Sequence, residues 1–130
     1  MRGWSLKDKA GIVAQAGTAD QTTTMGGSTG GPKTAETAFG QAVAEDVSQP
    51  VSTQAEADQI AKQWFNDMAL GYVAGEGVAI GRPDLRAGTV ISLEGYGTRF
   101  SGLYYVTSTT HTFSPKRGYR AAFTVRRNAT

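Results

Sequence analysis

The chain contains no cysteine and a single histidine, His111. Disulfides, thiolate metal sites and Cys/His dyads are therefore excluded, and a His-rich metal centre has too few imidazoles to form. A small secreted domain stapled by disulfides is disfavoured for the same reason. No apolar run approaches the ~20 residues that a membrane helix requires, and the opening MRGWSLKDKAG lacks the apolar core of a signal peptide. The expectation is a soluble protein. Charge is sparse, at 18% of residues. Proline is scarce too, four residues against seventeen glycines, which predicts a turn-rich β domain rather than a helical bundle. A chain of 130 residues is long enough for one domain with a modest core.

What charge there is falls unevenly. From Pro115 onward the basic residues Lys116, Arg117, Arg120, Arg126 and Arg127 meet no acid, so this end carries +5 of a formal total of +2. A basic tail on a nearly neutral body fits either a solvated strand face or a surface that meets phosphates or an acidic partner.

Residues 1 to 34 read as a short strand carrying Trp4, an ambiguous stretch from Gly11 to Ala16, and a flexible Thr/Gly-rich loop, TADQTTTMGGSTGGPKT. That loop has too little apolar surface to offset the ordering of its backbone. GGSTGGPK lacks the spacing of a Walker phosphate loop. Residues 35 to 130 form the main domain. A helical turn or two is expected around Phe39 within Ala35 to Ala44, then a short strand from Glu45 to Val51. Thr53-Gln54-Ala55-Glu56 fits a capping box. Ala57, Ile60, Ala61, Trp64, Phe65 and Met68 then make one apolar stripe on a helix over about 53–70, packed under a sheet, with Gly71 just past its end.

Strands follow. Leu70 to Ile80 is interrupted by Gly75 and Gly77, which predicts a bulge or bend. Thr89 to Glu94 alternates as a half-buried strand does. The longest strand places Leu103, Tyr105, Thr107, Thr109, His111 and Phe113 on one face, with Tyr104, Val106, Ser108, Thr110 and Thr112 on the other. After a turn at Ser114 to Gly118, the last strand sets Tyr119, Ala121, Phe123 and Val125 against Arg120, Ala122, Thr124 and Arg126. The fold class is α+β: an antiparallel, barrel-like domain of about five to six strands with one amphipathic helix packed on it.

Chemistry is hard to find. His111 lies among threonines with no Gly-x-Ser-x-Gly elbow in the chain, so it reads as a structural histidine bonded to a neighbouring strand or loop. Glu76 and Glu94 are the acids best placed for a groove, yet nothing in the sequence brings them together as a glycosidase pair. Trp64, Phe65 and Met68 read as core rather than a ligand box. Tyr104, Tyr105, Phe113, Tyr119 and Phe123 beside Arg117, Arg120, Arg126 and Arg127 are the ingredients of a nucleic-acid or other ligand-binding barrel, but they fall on both strand faces. No catalytic residue, metal ligand or cofactor site is assigned, and the chain is not read as an enzyme.

Gly77…Gly81-x-Pro83-x-Leu85-x-x-Gly88-x-Val90-x-x-x-x-Gly95, then Arg99-Phe100-Ser101-Gly102-x-Tyr104-x-Val106, His111 and Gly118-Tyr119…Phe123-x-Val125-x-Arg127, resemble the phage late control protein D family. So do Gln54-Ala55-Glu56-Ala57-Asp58 at a helix start and the early Gly3-Trp4. These are tail baseplate hub proteins, related to the hub part of VgrG spikes in contractile injection systems. The resemblance implies a structural, trimeric hub-type β-barrel that adapts a tail tube to a spike. Its setting would be the virion tail or an injection particle assembled in the bacterial cytoplasm, with no membrane partner and nucleic acid met only in the hub lumen. In such a ring Arg117, Arg120, Arg126 and Arg127 would supply interface contacts. Family members carry a second barrel before this one, and its absence here would leave an open sheet edge that invites another chain.

Overall fold

The computed structural model describes all 130 residues. Two antiparallel sheets and a few helices make a small α+β domain, as the strand and cap patterns predict. Strands β1 (Arg2–Ser5) and β2 (Ala10–Val13) form a hairpin. Helix α1 (Gly31–Phe39) and helix α2 (Gln54–Ala69) follow. Strands β3 (Val73–Ile80), β4 (Val90–Leu93), β5 (Gly102–Ser114) and β6 (Gly118–Arg127) then build a curled half-barrel in the order β3-β6-β5-β4. A single helical turn, α3 (Gly97–Phe100), links β4 to β5.

Helix α2 starts where its cap dictates. The Thr53 hydroxyl accepts from the Glu56 amide at 3.3 Å, and the Glu56 carboxylate accepts from the Ser52 amide at 3.0 Å. The first bond satisfies a donor left free at the helix start, and the second ties the residue before the cap to the first turn. The apolar stripe of α2 does not sit under the large sheet. Ala57 and Ala61 are buried with Met1, Ile12, Ala14 and Val51, so the helix covers the β1-β2 hairpin. The four-stranded sheet has its own core of Leu85, Tyr104, Val106, Ala121 and Val125. One chain of modest size thus holds two small cores. The small side chains at Ala57 and Ala61 allow the close approach that puts α2 on the hairpin, while Met68 stays 48% exposed.

The Thr/Gly-rich stretch is a strap between these cores, not a loose loop. The Asn66 side chain accepts from the Thr22 amide (2.8 Å) and donates to the Asp20 carbonyl (3.1 Å), which ties the strap to α2. Lys62 pairs with Asp20 at 3.1 Å. That bond, together with the Gly17 amide, holds the Asp20 carboxyl below its ordinary range, so the stability this tether contributes is complete above that range and is lost as pH falls below it, through the lowered value of the folded chain. At the other end the Asn128 side chain donates to the Thr23 carbonyl (3.0 Å), and the Asn128 backbone carbonyl accepts from the Gly31 amide (2.7 Å). The glycines permit contact: a Cβ on Gly27 would lie 2.7 Å from that of Ala129. Low apolar content is offset here by backbone bonding to buried partners.

Three further expectations are corrected. The helix near Phe39 begins earlier, at Gly31, because Pro32 suits a first turn, and Gly40 at φ +83 ends it. Glu45 to Val51 is not a strand; only Val51 of that stretch is buried. Nor is β3 broken by its glycines: it pairs continuously with β6 from Val73↔Arg127 to Ile80↔Arg120. Gly77 leaves room for the Phe123 ring, whose Cζ would lie 2.5 Å from an added Cβ.

Candidate binding face

The sheet has an inner and an outer face, and an irregularity in β5 decides what each carries. Val106 pairs with Val125 and Ser108 with Thr124, so Thr107 is the extra residue of a β-bulge. Strict alternation through Thr107 therefore fails. Tyr104 and Val106 share the inner face with Thr109, His111 and Phe113, while Tyr105 lies outside with Ser108, Thr110, Thr112 and Ser114. The β6 alternation is as the sequence predicts.

His111 has both ring nitrogens engaged. Nε2 lies 2.9 Å from the Leu85 carbonyl and Nδ1 lies 2.8 Å from the Tyr119 hydroxyl. A carbonyl can only accept, so Nε2 carries the proton and Nδ1 accepts from Tyr119. The pair clamps the Gly81–Thr89 loop beneath the sheet, where Leu85 is buried. Glu76 lies on the outer face opposite Thr124. The imidazole and this carboxylate are thus on opposite sides of one sheet. Glu94 sits past the end of β4 on the far edge, with β5 and β6 between it and β3.

Four arginines were expected at an interface, and the structure divides them. Arg120 and Arg126 project from the outer face of β6, and Arg117 is exposed in the β5-β6 turn. None of these three is in an ion pair; the pairs present are Arg2–Glu45, Lys62–Asp20 and Arg82–Asp84. Arg127 belongs to the opposite face and is 1% exposed. Its guanidinium donates to the Ser101 carbonyl at 2.9 Å and lies 5.4 Å from the centre of the Tyr104 ring. Arg127 is therefore a core residue without a free surface, because strand alternation turns it inward beside Gly102, whose lack of a Cβ makes room for it. Of the five aromatics considered as a stacking platform, Tyr105 alone shares the face of Arg120 and Arg126.

Two shallow depressions, of about 330 and 510 Å³, run together along the outer face and share Val78 and Ala122. One is bounded by Glu76, Ser108, Thr110 and Thr124, the other by Thr112, Ser114, Arg117 and Arg120. The Ser108 hydroxyl bonds Thr124 Oγ1 at 3.1 Å. Val78 and Ile80 are 67% and 80% exposed on the same face. No helix or loop lies over them, and β3 ends the sheet with an unpaired edge. Sequence reading missed Val78 and Ile80 because the glycines appeared to interrupt their strand. Their alternation with Gly77 and Ala79, in step with Glu76, was the signal available.

No helix is long and apolar enough to cross a membrane. No curated protein and no solved structure matches the chain. A family model does match, that of the Alg8 N-terminal domain, over residues 1–115. This finding overturns the resemblance to the late control protein D and VgrG hub proteins, and with it the baseplate role, the trimeric hub and the virion location. The glycines and aromatics quoted for that resemblance serve turns, close packing and the Tyr104–Arg127 core, needs common to many small antiparallel domains. The matched region takes in the hairpin, both longer helices and all of β3, β4 and β5, and on it the chain belongs to the Alg8 N-terminal domain family.

Proposed function

We propose that this domain is a non-catalytic binding module that joins protein chains through the open side of its four-stranded sheet. The observation that carries the reading is the combination of an uncovered outer face, two exposed aliphatic residues on it, and a long unpaired edge beside them. Exposed apolar side chains grouped at a sheet edge mark contact surfaces more often than solvent faces. The groups with most catalytic potential support the same reading, since His111 has both nitrogens committed on the inner face while Glu76 lies outside. Arg117, Arg120 and Arg126 lie along the rim of this face outside any ion pair.

A photo-crosslinking amino acid placed singly along the chain in cells tests this. Adducts are expected at Ile80, Thr110, Thr112 and Arg120 and not at Lys9, Gln59 or Glu94. Adducts spread evenly over all seven positions, or found at none, would contradict the reading.

A further inference from the structure

The backbone of β3 carries a second layer of information. Gly81 donates to the Tyr119 carbonyl at 2.8 Å, which fixes the alternation along the strand. Val73, Gly75, Gly77 and Ala79 turn their N–H and C=O groups toward β6. Ala74, Glu76, Val78 and Ile80 turn theirs outward, away from the sheet. The edge is eight residues long and pairs with β6 without a bulge. It has no proline and no lysine, the residues by which natural edges resist pairing. The opposite edge, β4, is only four residues, short enough to be protected by its length.

Resting on the binding reading above, we propose that the occupant of this edge is β3 of a second copy of the same chain, joined antiparallel about a two-fold axis at Gly77. The choice follows from the strand itself. A two-fold axis normal to the sheet keeps like faces together and makes residues with outward-turned groups pair with one another. Centred on Gly77, Ala74 meets Ile80 of the second copy and Glu76 meets its Val78, and the reverse pairs follow by symmetry. All four outward residues on each copy are then bonded. Centring on Glu76 would leave Ile80 unpaired and set two carboxylates directly opposite, which is unfavourable. Centring on Val78 would leave Ala74 unpaired. The Gly77 register alone uses every outward group and opposes no like charges. It also brings small residues together on the inner face, Gly75 against Ala79 and Gly77 against Gly77, so neither core is disturbed. The product is a continuous eight-stranded sheet in which Val78 and Ile80 lose much of their exposure.

Strand addition of this kind buries less area than a standard protein interface, so the self-association is weak, with a dissociation constant on the order of 100 µM. Sedimentation of the intact chain across about 10 µM to about 1 mM should show a reversible monomer–dimer equilibrium. Val78→Pro should abolish it while leaving the monomer fold unchanged, because the Val78 amide bonds nothing within the sheet and proline is tolerated at such edge positions. Val78→Lys should tighten association by about tenfold and Val78→Glu should weaken it by a similar factor, since each places its charge opposite Glu76 of the other copy. These two variants change only an exposed side chain, so they keep the test decisive if the proline variant folds poorly. A chain that stays monomeric at every concentration overturns self-pairing. So does a Lys/Glu order that is reversed, or an oligomer indifferent to all three substitutions. Outer-face crosslinks to a protein of different mass, found together with a monomeric chain, would leave the binding module standing and remove the second copy as its partner.

Discussion

Replacing Gly81 by alanine is expected to destabilise the fold by about 3 kcal/mol and to lower the melting temperature by about 10 °C. Gly81 follows β3 and donates its amide to Tyr119. An added Cβ would lie 2.7 Å from Tyr119 Cβ and closer still to the root of its ring. The Tyr119 Cβ is fixed to the backbone, and its ring can turn away only by giving up the hydroxyl's bond to His111. Relief would require moving Tyr119, whose hydroxyl supports His111, whose other nitrogen holds the Leu85 loop. One methyl group therefore strains three connected elements. Gly11→Ala is the matched control: nothing lies within 4 Å of its added Cβ and its φ is not positive, so its melting temperature should equal or slightly exceed the parent's. Equal melting temperatures for the two variants would show that the Gly81–Tyr119 contact is not tight.

Asn128→Asp is expected to cost at least about 3 kcal/mol and to free the strap for proteolysis. Asn128 is 1% exposed, and its side-chain amide donates to the Thr23 carbonyl. An aspartate of the same shape would press a carboxylate against that carbonyl with no donor in reach. Its backbone carbonyl also receives the Gly31 amide and the Gln21 side chain, so a shift at this residue loosens the strap at three points. Asn128→Leu removes the donor without adding a charge and should cost less, about 1–2 kcal/mol. Thermolysin cleavage at Met25, followed over time, reads the opening directly: fastest in the aspartate variant, slowest in the parent. Identical cleavage rates in all three would show that the strap is not held by Asn128.

The parts of this fold that local chemistry determines were legible in the sequence. Thr53 and Glu56 mark the helix start because a cap needs only four residues, and β6 alternates plainly because the extra residue of the bulge lies on β5 and leaves β6 itself regular. His111 reads as a structural residue from its threonine neighbours, although its partners, Leu85 and Tyr119, come from across the sheet. What stayed hidden depends on contacts distant in the chain. The bulge at Thr107 leaves no mark in composition, yet it moves Tyr105 outside and His111 inside. Arg127 looks like one more basic residue of a charged tail until Tyr104, Ser101 and Gly102 are placed around it. The strap looks disordered by composition, and its order comes from Asn66 and Asn128, 44 residues beyond Thr22 and 105 beyond Thr23. The free edge of β3 was obscured for a related reason: Gly75 and Gly77 suggest a break, and Phe123 supplies the missing side-chain volume from the neighbouring strand.

The claim that the open sheet edge is an interface is tested most directly by residue-resolved amide exchange of the intact chain at low and high concentration. Within β3, the amides of Gly75, Gly77 and Ala79 are bonded to β6 and should be protected at both concentrations. The outward amides of Ala74, Glu76, Val78 and Ile80 should exchange freely when dilute and become protected together as concentration rises. The β4 edge should not change. Outward β3 amides that exchange at the same fast rate at every concentration, or protection that appears on β4 instead, would contradict the account.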